Sequence, residues 1–250
     1  MTGNACILTD YRTDKCAGCT KLCPHRIALH GLDGDGGRVG NAGLPRDYRY
    51  VTIKTSPVRD SQPETYALLD RYVETFKRKD NDGEERIKSM YLWSESPGTG
   101  KTTTASALIN AWIATDYLSA IKAGKQPGQT SAYFLDVNEW QTLYNEFNRP
   151  MVPEHISEPA SGKYYRAMER ARTAPFAVYD DIGVREASDP FRADLHTLIN
   201  HRTTNGLPTV YTSNLPIEDM AEVFDDRLYD RIRDQCAPIH FAGESKRGRR

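Results

Sequence analysis

The chain has 250 residues, of which 38% are hydrophobic and 27% charged, and its formal net charge is -1. This length allows one sizeable α/β domain and a small additional module. The near-neutral charge excludes a global basic field, so any contact with nucleic acid must come from local patches. No run of 18 apolar residues occurs, and the N-terminus lacks the basic and apolar regions of a signal peptide. We therefore expect a cytoplasmic protein with no membrane partner.

Four of the five cysteines lie within the first 23 residues; they are Cys6, Cys16, Cys19 and Cys23. Four thiolates complete a tetrahedral Zn²⁺ site, and so small a module cannot fold on an apolar core alone. The cluster therefore predicts a Cys-rich zinc module over residues 1–30, in which His25 or His30 is an alternative to the first cysteine. The spacing of the last two cysteines, followed by proline, also fits an iron–sulfur cluster. Free thiols are the third interpretation.

Residues 31–47 are rich in glycine and polar residues, which predicts a flexible linker. From residue 48 to the end, helices and short apolar strands are predicted to alternate, which indicates an α/β fold with a central parallel sheet flanked by helices. Strands are predicted at 90–93, 132–135, 176–179, 209–212 and 239–241. Helices are predicted from residue 61, at 101–114, at 137–147, up to 172, at 190–203, and near 217–223 and 225–234.

The segment after the first predicted strand carries the most specific motif, and its sequence is Ser96-Pro97-Gly98-Thr99-Gly100-Lys101-Thr102-Thr103. A glycine-rich loop between a strand and a helix is a P-loop, whose backbone N–H groups and helix N-terminus bind phosphates. We expect all eight residues to contact ATP, with Lys101 on the β- and γ-phosphates and the Thr102 hydroxyl on Mg²⁺. The first glycine of the pattern is replaced by Glu95, so the motif departs from the pattern at the loop entrance.

Two carboxylates follow the strand at 176–179. Asp180 fits the aspartate that holds Mg²⁺, and Asp181 fits the residue that polarises the attacking water. Aspartate is one methylene shorter than glutamate, the common residue at the second position, and this predicts slow ATP hydrolysis. A pair of solvated loop aspartates is the alternative.

Polar side chains also follow the next predicted strand and lie on a helix beyond it. The amide of Asn214 can bridge the attacking water and the γ-phosphate, or can simply form an Asx turn. Arg227 and Arg231 lie one helical turn apart. They are either surface charges or supply an arginine finger to the ATP of a neighbouring subunit.

The segments PGTGKT, VYDDIG, LPTVYTSNLP and DDRLYDRI, in this order, resemble the AAA+ helicase loaders of the bacterial DnaC/DnaI type over roughly residues 48–250. The resemblance implies an AAA+ domain without a separate lid. It also implies an ATPase that binds a replicative DNA helicase, helps place it on single-stranded DNA, and self-associates with ATP or DNA. Asn214 would be sensor 1 and Arg231 the arginine finger at subunit interfaces. The resemblance also favours zinc and a protein-binding role for the N-terminal module.

Two other functions remain open. IstB-type transposition ATPases share the pattern, so the alternative is an accessory ATPase that assembles on duplex DNA and recruits a transposase. A P-loop enzyme acting on a small metabolite is disfavoured, because paired arginines after a sensor-type asparagine suit assembly between subunits.

In the resembling family, single-stranded DNA binds helices inserted after the second strand, here about residues 138–172. Aromatic and basic side chains alternate in this segment, which suits base stacking and phosphate contact. They are Tyr144, Phe147, Arg149, Lys163, Tyr164, Tyr165 and Arg166. Packing of the aromatic residues in the core is the alternative.

Overall fold

The computed structural model describes residues 5–11, 20–80, 86–183, 185–223, 226–243 and 245. The chain divides into two compact units. Unit one comprises Met1–Ile87 and Thr103–Phe134, and unit two comprises Lys88–Thr102 and Leu135–Arg250.

Five short strands form one sheet in the order β2-β3-β4-β1-β5. They are β1 (Ser89–Trp93), β2 (Ala132–Asp136), β3 (Phe176–Asp180), β4 (Thr209–Ser213) and β5 (Cys236–His240). β1 is parallel to β4 and β5, and β3 is parallel to β4. Every residue of β3 and β4 is buried, as expected for central strands with both faces covered. The predicted α/β fold with a central parallel sheet is confirmed, although the last strand begins at Cys236 rather than at residue 239.

The register of the sheet determines which side chains meet at its carboxyl edge. Tyr179 of β3 lies opposite Tyr211 of β4, so the next residues, Asp180 and Thr212, are neighbours. Thr212 in turn lies opposite Leu92 near the end of β1. Parallel strands end at the same edge of a sheet, and ligands of such folds bind outside that edge.

The helices are α1 (Pro24–His30), α2 (Gly37–Asn41), α3 (Pro63–Thr75), α4 (Lys101–Lys122), α5 (Val137–Asn148), α6 (Glu154–Thr173), α7 (Asp189–Thr204), α8 (Met220–Val223) and α9 (Asp226–Gln235). The N-terminus of α5 is capped by Asp136, whose carboxylate accepts the N–H of Glu139. Helix α4 runs well past its predicted end near residue 114. Its middle is buried on all sides, so an amphipathic period could not reveal its length. Within the described ranges, no helix combines the length and apolar character needed to span a membrane.

Residues 31–47, for which the glycines predicted a flexible linker, contain α2 and are packed within unit one. Val39 is fully buried, and the buried Arg38 guanidinium donates to the carbonyl oxygens of Ala28, Pro127 and Gly128 at 2.7–2.8 Å. Gly37 has a φ of 62°, and a Cβ there would lie 2.5 Å from the backbone of residue 29. Glycine in this segment therefore permits close backbone packing. The predicted domain boundaries stay a prediction.

A buried arginine fixes the core of unit two. Arg202 on α7 is fully buried, and burial lowers the pKa of its guanidinium. It donates to the carbonyl oxygens of Ala171, Ala174 and Pro208 at 2.7–2.9 Å and to Thr209 Oγ1 at 2.7 Å. One side chain thus ties the carboxyl end of α6 to the start of β4.

Candidate nucleotide-binding site

The P-loop lies between β1 and α4, as the sequence predicts. Gly98 and Gly100 have φ angles of 76° and 106°, a region that residues with a Cβ disfavour. At the loop entrance, Ser94 Oγ donates to the Ser96 carbonyl oxygen at 2.9 Å and accepts the Ser96 N–H at 3.2 Å. The glycines and the serine pair together produce the sharp turn that lets successive N–H groups face one ligand.

Lys101 begins α4, and its side chain lies across the loop. The residue is buried, and its Nζ lies 3.4 Å from the Ser94 carbonyl oxygen and 3.3 Å from that of Ser96. The Lys101 ammonium is therefore located inside the turn of the predicted phosphate-binding loop.

Asp180 lies between two threonine hydroxyls at the end of β3. Thr102 Oγ1 donates to Asp180 Oδ2 at 3.1 Å, and Thr212 Oγ1 donates to Asp180 Oδ1 at 2.7 Å. Burial raises the pKa of this carboxyl to about 7, with a further contribution from Asp181. Carboxylate and hydroxyl oxygens are the hard ligands that Mg²⁺ prefers. The structure thus brings together Thr102 and Asp180, the two predicted Mg²⁺ ligands, and their donor set fits that ion.

Asp181 adopts a left-handed backbone conformation with a φ of 60°, which is uncommon for a residue with a Cβ. Its N–H donates to Thr212 Oγ1 at 2.8 Å, and the N–H of Ile182 donates to the Thr212 carbonyl oxygen at 2.9 Å. These bonds hold the turn that carries the predicted water-polarising carboxylate.

Thr212 is the residue that sequence reasoning missed. Its hydroxyl contacts both Asp180 and the backbone of Asp181, although it lies in a fully buried strand. The available signal was a hydroxyl residue at the end of an otherwise apolar strand, two positions before Asn214.

Asn214 directly follows β4 and is partly exposed. The preceding Ser213 Oγ donates to the Ile182 carbonyl oxygen at 2.8 Å and accepts the N–H of Leu215 at 3.1 Å. The end of β4 is therefore fixed to the segment after β3, on which Asp181 lies. The catalytic role of Asn214 stays a prediction.

Arg231 is exposed on α9. On the same helix, Arg233 pairs with Asp230 at 3.2 Å and lies over the Tyr229 ring. The side chain of Arg227 lies outside the described residues. The assignment of Arg231 as an arginine finger stays a prediction.

The predicted DNA-binding aromatic residues divide into two groups. Tyr164 is fully buried, stacks on Trp140 with 4.7 Å between ring centroids, and donates to Asp194 Oδ2 at 2.6 Å. Its proposed availability for base stacking is wrong, because this ring belongs to the core between α5, α6 and α7. Tyr144 and Phe147 are half-buried and pack against it. Tyr165, by contrast, is 58% exposed.

The predicted zinc module lies only partly within the described residues. Cys6 is buried and Cys23 is partly exposed, whereas Cys16 and Cys19 lie outside the described ranges. Among the residues that are described, no three His, Cys, Asp or Glu side chains form a group that could hold a metal ion. The zinc ligands therefore stay a prediction.

The two histidines considered as substitute ligands both have protein partners. His30 Nε2 accepts the N–H of Ile7 at 3.3 Å, and His25 Nδ1 lies 2.9 Å from the Tyr117 hydroxyl.

No protein-family model matches the chain. Among curated proteins, the replicative helicase loader DnaI of Bacillus subtilis (strain 168) is 24% identical over 204 residues. This match covers 75% of the chain but 56% of the relative, so the chain spans just over half the length of the curated relative it matches.

Solved structures with the same fold include DnaI, with a TM-score of 0.56 and 22% identity over 82% of this chain and 94% of that one. The DnaC helicase loader has a TM-score of 0.56 and is 21% identical, and the match covers 79% of this chain and 100% of that one. DnaA from Aquifex aeolicus bound to AMPPCP has a TM-score of 0.51 and is 14% identical, and the match covers 79% of this chain and 51% of that one. These solved structures share the α/β fold of this chain. The chain is similar to the DnaC/DnaI-type helicase loaders, as its motifs predict.

Proposed function

We propose that this protein is an ATP-dependent helicase loader that acts in the cytoplasm, binds a replicative DNA helicase and helps place it on single-stranded DNA. The observation that carries the proposal is the position of Asp180, held between Thr102 of the P-loop helix and Thr212 of the sensor strand. The similarity to DnaI and DnaC supports the loader role.

Nucleotide binding depends on the loop and the acidic strand end. Residues 96–103 bind the phosphates through backbone N–H groups, and Lys101 neutralises part of their charge. Thr102 and Asp180 would hold Mg²⁺, which would neutralise part of the charge on the phosphates. The buried carboxyl of Asp180 is poised for a cation, because an unpaired charge there is unfavourable.

Hydrolysis depends on residues that surround the γ-phosphate. Asp181 polarises the attacking water, Asn214 orients it, and Arg231 of a neighbouring subunit stabilises charge on the transferred phosphoryl group. ATP is then hydrolysed at subunit interfaces. This requires a neighbouring copy of the chain, so the protein self-associates in the presence of ATP or DNA. The short Asp181 side chain makes turnover slow.

Partner binding is assigned to two further surfaces. Helices α5 and α6 and the loop between them carry the exposed Tyr165 and three exposed cations, Arg149, Lys163 and Arg166. Such a set suits stacking on bases and contact with phosphates. The Cys-rich N-terminal module, whose four thiolates would hold Zn²⁺, would contact the helicase.

The proposal is tested by purifying the protein from its native cell with and without ATP. We expect the replicative helicase to co-purify. Lys101→Ala should lose ATP-dependent assembly on single-stranded DNA. The control is Lys125→Ala, which removes an exposed lysine beyond α4 and should keep this assembly. Recovery of a transposase and preference for duplex DNA would instead favour the IstB-type alternative. Retention of ATP binding by Lys101→Ala would contradict the nucleotide site.

A further inference from the structure

The entrance of the P-loop carries a charge that the P-loop pattern lacks. Glu95 occupies the position of the first glycine, and its Oε2 lies 3.2 Å from Nε2 of His240. The two side chains remain 68% and 46% exposed, so solvent screens the pair and its energy is small. In the structure, the Glu95 carboxylate faces His240 at the end of β5.

His240 is fixed by the sheet. It is the last residue of β5 and lies opposite Trp93, the last residue of β1. The imidazole packs on the Trp93 ring with 4.3 Å between centroids, and the N–H of Phe241 donates to the Trp93 carbonyl oxygen at 2.8 Å. His240 is thus a rigid partner, whereas Glu95 lies at the start of a loop.

The Glu95 carboxylate is also within electrostatic reach of Lys101. The pKa of Glu95 is lowered first by its backbone hydrogen bond, then by His240, and additionally by the charge of Lys101. A carboxylate that turned toward Lys101 would compete with phosphate for this ammonium and repel the polyphosphate chain.

We propose that His240 is a positioning residue for nucleotide binding, which holds the Glu95 carboxylate at the outer edge of the P-loop and away from Lys101. Glu95 adds a negative charge where the P-loop pattern has none, and this charge would repel the phosphates of ATP. His240 reduces the repulsion by holding the carboxylate at the end of β5. This inference rests on the proposed nucleotide site and assigns it a residue beyond the P-loop motif.

The test is a double-mutant cycle on the full chain, read as the dissociation constants of fluorescent ATP and ADP analogues. His240→Ala should weaken ATP binding about two- to fivefold, the range expected for one exposed hydrogen-bonded pair. The loss should be smaller for ADP, which carries less charge, and should shrink at high salt. Adding Glu95→Gln to His240→Ala should restore the affinity. His240→Gln, which keeps a donor, should bind nearly as tightly as the wild type.

His201→Ala, a partly exposed histidine on α7, is the matched control and should bind ATP normally. Equal ATP affinity of His240→Ala and wild type would overturn the inference. A loss that Glu95→Gln does not restore would also overturn it, because His240 would then act through its packing on Trp93. A wild-type protein that binds neither nucleotide would contradict the proposed function itself, and this inference with it.

Discussion

The hydroxyl of Thr212 donates to Asp180 Oδ1 at 2.7 Å and accepts the N–H of Asp181 at 2.8 Å. A single atom of β4 therefore orients the predicted Mg²⁺ ligand and fixes the backbone of the predicted water-polarising residue. The Thr212 hydroxyl thus connects the end of β4 to the end of β3 through two hydrogen bonds.

Replacement of Thr212 by valine tests this relationship, since valine keeps the shape and removes the hydroxyl. We expect Thr212→Val to lower the ATPase rate by about 10- to 100-fold, the usual effect of losing a group that orients a metal ligand. The measurement is steady-state ATP turnover as a function of Mg²⁺ concentration. Thr212→Ser, which keeps the hydroxyl, is the control. Equal rates in the two variants would show that the hydroxyl does not position Asp180.

The buried His30 predicts a pH dependence of stability. Burial, with a contribution from Arg26, lowers the pKa of this imidazole from 6.5 to about 4. The native state therefore binds fewer protons than the unfolded state between these values, so the contribution to stability is complete above pH 6.5 and is lost as the pH falls toward 4. The expected loss is about 3 kcal/mol in the free energy of unfolding by pH 4.

Urea unfolding of wild type and His30→Gln at pH 7 and pH 4.5 measures this effect. Glutamine can still accept the N–H of Ile7 but does not titrate, so we expect a smaller fall in the unfolding free energy. An equal fall in both proteins would assign the acid sensitivity to other groups.

Arg202 predicts a large stability effect at a site remote from the P-loop. Arg202→Met would leave the carbonyl oxygens of Ala171, Ala174 and Pro208 without their buried donor, at a cost of about 3 kcal/mol or more. Chemical denaturation measures the loss. Arg172→Met is the control, because Arg172 pairs with Glu169 on the surface at 2.8 Å and should contribute less than about 1 kcal/mol. Similar losses in both variants would contradict the assigned role of Arg202.

The cysteine cluster predicts about one Zn²⁺ per chain by the four-thiolate argument. Elemental analysis by mass spectrometry of gently purified protein measures it, and a Cys23→Ser variant should hold less metal. Iron with labile sulfide would identify an iron–sulfur cluster instead. Protein without metal would leave the thiols free and contradict the zinc module.

The motif-based part of the site could be predicted from the sequence because its residues are adjacent in the chain. The eight P-loop residues and the Asp180–Asp181 pair are continuous segments at the ends of apolar strands, so the parallel-sheet topology brings them to one edge. Thr212 could not be assigned, because its importance comes from a partner on a different strand and depends on the register.

Other differences between sequence and structure have similar causes. The glycines of residues 31–47 predict a flexible linker, which stays a prediction, and Gly37 serves close packing that only the surrounding backbone reveals. Tyr164 has the residue type expected for base stacking, and its burial depends on contacts with Trp140 and Asp194 on other helices. Helix α4 was cut short because a helix buried on all sides has no polar face to mark its length.

The central claim is that ATP is hydrolysed at a site shared between subunits, and a subunit-mixing experiment tests it most directly. Lys101→Ala should be inactive alone because it lacks the lysine of the phosphate pocket. Arg231→Ala should be inactive alone because it lacks the arginine supplied to the neighbouring subunit. When they are mixed, some interfaces combine an intact Lys101 pocket with an intact Arg231, so ATPase activity on single-stranded DNA should partly return. Arg233→Ala, on the same helix, should be active alone. No recovery in a mixture that still co-assembles would contradict hydrolysis at subunit interfaces through Arg231.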